Sequence, residues 1–157
     1  MQKKMAIYSV VFAVMMGLAG LSQVTYAADV KAKAKTHQMA KVAEKVTVVI
    51  QVSDADPKKW NLALNNAKNV QDDMGKDKVE IEIVVYGPGI GMLKLDSEAA
   101  QRVDQAIESG VKIVACENTM KGQKLTRADM LPTIAYVPAG VVELIKKQKE
   151  GYAYIRP

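Results

Sequence analysis

The chain of 157 residues has one cysteine, one histidine, one tryptophan and one phenylalanine. A single thiol, Cys116, closes no internal disulfide, so the fold must stand on its core alone. The only histidine, His37, lies in a lysine-rich N-terminal stretch and is read as exposed and idle, which argues against a Cys-His hydrolase. One cysteine, one histidine and scattered methionines make too few ligands for a soft-metal site, and no metal or cofactor is expected. Apolar residues at 49% and charged residues at 25% exclude a disordered, collagen-like or polytopic membrane chain.

The formal charge of +5 is confined to the N-terminus. Lys3 and Lys4 carry two of the five charges, and residues 28–45 carry the other three as a net excess. Residues 46–157 hold equal numbers of basic and acidic side chains. A neutral body with few aromatics has no electrostatic footprint for nucleic acid.

Residues 1–27 read as a secretory signal peptide: Lys3-Lys4, an apolar run from Met5 to Leu21, then small residues at Thr25 and Ala27. Cleavage is expected to leave no membrane span and a periplasmic protein, although an uncleaved anchor is the competing reading. Residues 28–45, with alternating Ala and Lys, read as a basic leader or tether, and 46–157 as one domain.

In that domain strands and helices alternate. Val46–Val52 is a β-branched strand buried on both faces. Asp56-Pro57 is an N-cap followed by proline at the first helical position, and Trp60, Leu64, Ala67, Val70 and Met74 form one apolar stripe ended by Gly75. Strands follow at 79–86, 111–116, 133–137 and 152–155. Between them lie a helix capped by Ser97, a polar turn and short helix near a Thr126/Asp129 capping box, and a helix carrying Val141, Val142, Leu144 and Ile145. The order predicts an α/β fold, three-layer α/β/α, with a largely parallel five-stranded sheet.

Ligands of such sheets bind beyond the carboxyl ends of the strands. Ser53-Asp54, the Gly87-Pro88-Gly89-Ile90-Gly91 turn and Cys116-Glu117-Asn118-Thr119 all fall there. A thiol at a strand end entering a helix can meet backbone N–H groups and nearby Lys121 and Lys124, which favour thiolate, while Glu117 opposes it if turned inward. The alternative is a buried structural cysteine. The glycine turn can offer amides to an anion but lacks the P-loop and dinucleotide spacings; a tight turn without a ligand is the competing reading. Met92, Met120 and Met130 read as core filling.

Three stretches carry a resemblance: Val111–Leu125 around Cys116, the Val85–Ile90 turn, and the tail Pro138–Ile145 with Gly151–Pro157. Together they resemble the DsrE/DsrF-like family from about residue 46 onward. The resemblance implies assembly as dimers, trimers or hexamers, and a cysteine that carries sulfur as a persulfide between a sulfur donor and an acceptor. Partners would be another protein or a small sulfur compound. In relay members the cysteine follows the third strand and precedes a basic residue plus glycine, as Cys116 precedes Lys121-Gly122 here. The export signal and Glu117 depart from the cytoplasmic relay members. Three functions follow as alternatives. In the first, Cys116 carries sulfur. In the second, an anion-binding module is lined by Gly87, Pro88, Gly89, Asn118, Thr119 and Lys121. In the third, the chain is an assembly subunit of a homo-oligomer. No acid/base pair is visible, so turnover catalysis is left open.

Overall fold

The computed structural model describes residues 45–157. The export signal at 1–27, the leader up to residue 44 and His37 lie outside the described residues. Five strands are β1 (Val46–Val52), β2 (Val79–Val85), β3 (Lys112–Cys116), β4 (Ala135–Val137) and β5 (Ala153–Ile155). Four helices are α1 (Pro57–Met74), α2 (Ala100–Glu108), α3 (Glu117–Gly122) and α4 (Gly140–Lys149). The sheet order is β4-β3-β2-β1-β5, and every pairing is parallel.

Stepping from β1 to β4 runs one way across the sheet, and right-handed crossovers put the connecting helices on one face. The return from β4 to β5 runs the other way, so α4 covers the opposite face. The core divides accordingly. Val48, Ile50, Ile81, Ile83, Ile113 and Ala115 pack with Leu64, Val103 and Met120 of α1, α2 and α3. Val49, Val84, Val114 and Val137, one residue out of phase, pack with Leu144 of α4 and Tyr152.

The helix signals act locally as the sequence dictates. Asp56 caps α1 by accepting the Lys58 N–H at 2.9 Å, Pro57 is its first residue, and Gly75 ends it at φ +92°. Several details differ. Met74 is exposed, and Ala63 and Gln71 take buried places in α1, because Gln71 bonds Ser109 at the end of α2 in both directions. Ser97 stands two residues short of the α2 cap, which is Ala99; the Ser97 hydroxyl accepts the Ala99 N–H instead. β4 begins at Ala135 rather than Thr133, whose hydroxyl is turned to Asp104 at 2.7 Å. On α4 only Leu144 of the four aliphatic residues is buried; Val141, Val142 and Ile145 are exposed. One helix of this length leaves room for a single inward ridge.

Beneath α4 lies a charged cluster. Glu82 is 2% exposed, with Oε2 at 2.8 Å from Lys112 Nζ and 3.9 Å from Lys147 Nζ. Burial pushes the Lys147 pKa down, but hydrogen bonds to Glu150 and Tyr152 and the Glu82 charge outweigh it, so the ammonium is held well above the ordinary lysine range. Tyr152 donates its hydroxyl to Glu80. Burial first, then that hydrogen bond, raises its pKa above the usual phenol value, against a smaller opposing pull from Lys147. A raised folded value contributes stability below the unfolded pKa that is lost as pH climbs through the folded one. Tyr152→Phe is therefore expected to cost about 1 kcal/mol at neutral pH. Its fall in stability above about pH 10 should be shallower than that of the wild type, with the Lys147 contribution remaining. Urea titrations at neutral and alkaline pH check both; an unchanged alkaline slope contradicts the assignment.

Candidate functional site

The parallel register brings the strand ends into line: Val52 opposes Val85, Val85 opposes Ala115, and Cys116 opposes Val137. Cys116 is in phase with Val114, so its side chain turns to the α4 face. It is at once the last residue of β3 and the N-cap of α3. The polar turn expected after Cys116 is absent, because Glu117-Asn118-Thr119 already form the first turn of α3. The thiol takes the capping role usual for Ser or Asp, with Sγ accepting the Thr119 N–H at 3.4 Å.

Cys116 is 5% exposed. Burial pushes its thiol pKa up, but the Thr119 hydroxyl and the N–H groups of Gly140, Thr119 and Asn118 push it down further, and it lies below the ordinary thiol value. Gly140 is the first residue of α4, where its N–H has no partner within the helix. Its lack of a side chain is required: a Cβ there would lie 2.9 Å from Tyr86 Cβ. Glu117 does not face the sulfur. It pairs with Arg127 at 2.8 Å, and the guanidinium lies over the Tyr136 ring at 4.3 Å. Lys121 and Lys124 are exposed, and neither is among the groups that act on the thiol; backbone and hydroxyl donors supply what the sequence reading assigned to lysine.

The glycine turn forms a 3-10 segment, Gly87–Leu93. Gly87 adopts φ +55°, and its N–H donates to Thr119 Oγ1 at 2.9 Å. Gly89 lies against the end of β1, where a Cβ would stand 2.7 Å from the Val52 carbonyl oxygen. Its N–H is engaged with the Tyr86 carbonyl at 3.2 Å, and Pro88 has none to give. Gly87, Asn118, Thr119 and Cys116 are thus brought together, with Asn118 N–H donating to the Pro138 carbonyl at 3.1 Å. Pro88, Asn118 and Pro138 are exposed around the buried sulfur.

Sequence reasoning missed Gly140, Tyr86 and Arg127. The available signal was the alternation Lys112, Val114, Cys116, which assigns the thiol to the face covered by the last helix. Met92, Met120 and Met130 are buried in the core, and among the described residues no group of three or more His, Cys, Asp or Glu is placed to hold a metal. A cleft of about 180 Å³ between α1 and α2 is lined by Gln71, Arg102 and Ser109 and includes none of the thiol's neighbours.

Residues 44–157 match the family described as DsrE/DsrF-like. Among solved structures, MTH1491 from Methanobacterium thermoautotrophicum, titled a protein of unknown function, superposes with a TM-score of 0.69 at 33% identity. That match covers 72% of this chain and 100% of that one. BT1422 from Bacteroides thetaiotaomicron, also titled a protein of unknown function, gives 0.57 at 16% identity over 71% of this chain and 94% of its own. The ychN protein from E. coli gives 0.58 at 10% identity over 73% and 99%. The last two likenesses concern the fold alone. No curated protein matches the chain.

Two outcomes follow from the geometry. Alkylation of Cys116 against pH should show a midpoint below that of an unstructured thiol, with absolute rates held down by burial; a midpoint at or above the free value contradicts the donor arrangement. Gly140→Ala should destabilise the fold by about 1–3 kcal/mol through contact with Tyr86 and slow alkylation as α4 is displaced, measured by denaturation and thiol labelling.

Proposed function

The chain belongs to the DsrE/DsrF-like family, and from that premise we propose that Cys116 is a sulfur carrier. The observation that carries the reading is the seat of Sγ: it accepts the Thr119 N–H at 3.4 Å as the cap of α3, its pKa is held below the ordinary thiol value, and Glu117 is turned away to Arg127. That arrangement favours a sulfur anion. Among the described residues it supplies no acid/base pair, so it suits exchange at sulfur better than hydrolysis.

The chemistry needs no added oxidant. The Cys116 thiolate attacks a sulfane sulfur of a polysulfide, a new S–S bond forms, and the donor's S–S bond breaks. The donor leaves one sulfur shorter and takes up a proton, and Cys116 is left as a persulfide. A second thiolate then attacks the outer sulfur and releases the Cys116 thiolate. At 5% exposure the sulfur is better suited to a small sulfur compound as donor than to a folded protein.

The signal read at residues 1–27 supports placing this exchange in the periplasm. The exposed Val141, Val142 and Ile145 on α4 support a homo-oligomer. Anion binding at the glycine turn is less favoured, since the Gly87 and Gly89 N–H groups are engaged within the protein.

Incubation with polysulfide followed by intact-mass measurement should show a species one sulfur atom heavier that is reversed by a thiol reductant and missing in Cys116→Ser. An adduct that persists in Cys116→Ser removes Cys116 from the chemistry.

A further inference from the structure

We propose that the cleft between α1 and α2 is a second binding site, one that takes a small organic anion: a carboxylate carried on a short apolar chain. The cleft lies at the amino edge of the sheet, beside Val111, which leads into β3, whereas Cys116 ends that strand. The proposal is therefore independent of the sulfur-carrier reading.

The lining is of two kinds. Leu64 and Ala67 from α1, with Val111, are buried and form an apolar floor that the partly buried Ala106 of α2 extends. Charged side chains stand around it. Lys68 and Asp72 pair with each other one helical turn apart, and their charges cancel. Lys76 and Arg102 also line the cleft, and neither makes an ion pair among the described residues. The mouth is left cationic.

Arg102 shows what the cleft is built to meet. Its guanidinium donates to Asn61 Oδ1 and, at 2.6 Å, to Asn65 Oδ1. These asparagines stand at i and i+4 on α1 and so share one face of it. Both acceptors are neutral amides, which fix the guanidinium across the helix pair and leave its charge whole. A carboxylate in either place would have cancelled it. A planar cation held still by neutral groups is preorganised for an anion from outside, and its remaining N–H groups suit the two oxygens of a carboxylate.

Gln71 adds a neutral donor at depth. It is 5% exposed, its Oε1 accepts the Ser109 hydroxyl at 3.0 Å, and its Nε2 donates to the Ser109 carbonyl at 2.9 Å. The amide is thereby fixed, and Nε2 keeps a second hydrogen for a ligand. The volume of about 180 Å³ holds about six water-sized groups at ~30 Å³ each, the size of a four-carbon carboxylate. An inorganic anion would leave the apolar floor wet, and a neutral chain would leave the cations unanswered.

The test titrates butyrate into the isotope-labelled full chain at low ionic strength, with n-butanol and acetate as comparison ligands. The amide resonances of Gln71, Ala106 and Ser109 should shift and saturate in the millimolar range, while those of Thr119 and Gly140 stay in place. Butanol, which lacks the charge, and acetate, which lacks the chain, should each bind about tenfold more weakly, and Arg102→Gln should weaken butyrate by about tenfold or more, the usual loss for a hydrogen bond to a charged group. If Arg102→Gln fails to fold, Ala106→Leu carries the comparison, since it fills the floor, keeps every charge and should abolish binding. Shifts that do not saturate, shifts centred on Thr119 and Gly140, acetate or butanol binding as tightly as butyrate, or undiminished affinity in Arg102→Gln or Ala106→Leu each overturn the proposal.

Discussion

The carboxyl edge of this sheet depends on one topological constraint, the crossing of α4 on the face opposite the other helices. The first four strands step one way, and the fifth returns beside the first. Had the fifth strand continued beyond β4, the last helix would have joined α1 and α2, and the Lys112, Val114 and Cys116 side of β3 would have faced water. Instead α4 closes over that side. Its opening residue, Gly140, comes close enough to Tyr86 that no side chain fits between them. Against burial, the Gly140 N–H, 24 positions further along the chain, helps to draw the thiol pKa below its ordinary value.

The same face explains the charges buried there. Glu82 is in phase with Val84, under α4, and only long cations can reach it: Lys112 from the neighbouring strand and Lys147 from the helix above. Glu82 Oε1 has no hydrogen-bond partner among the described residues. Such an arrangement is weak as a source of net stability, because desolvation offsets the attraction. It does fix how α4 lies, since moving the helix would strip the carboxylate of one of its two cations. The helix is therefore located at both ends, by steric fit at Gly140 and by charge at Lys147.

Much of this was legible in the sequence where the signal was local. The β-branched run at 46–52, the Asp56-Pro57 start, the Gly75 stop and the Thr126/Asp129 capping box each act within a few residues, and each appears in the structure. The alignment of three strand ends followed from the alternation of elements. Whatever depended on partners distant in sequence was not legible. Exposure of Val141, Val142 and Ile145 depends on how much sheet one helix can cover. The outward turn of Glu117 depends on Arg127, and the engagement of the glycine amides within the protein depends on Thr119 and Tyr86. The charge of Lys121 points to it in the sequence, but the six-residue helix places it more than a full turn from the Cys116 cap.

Cys116 belongs to the strand before it and to the helix after it, with no residue between them. The chain has no hinge at that joint. A sulfur mounted there cannot swing out on a loop to meet a reactant; it can travel only as far as the sheet margin itself gives way. Its positional precision is inherited from the most rigid layer of the molecule, and even one residue inserted after position 116 would forfeit it.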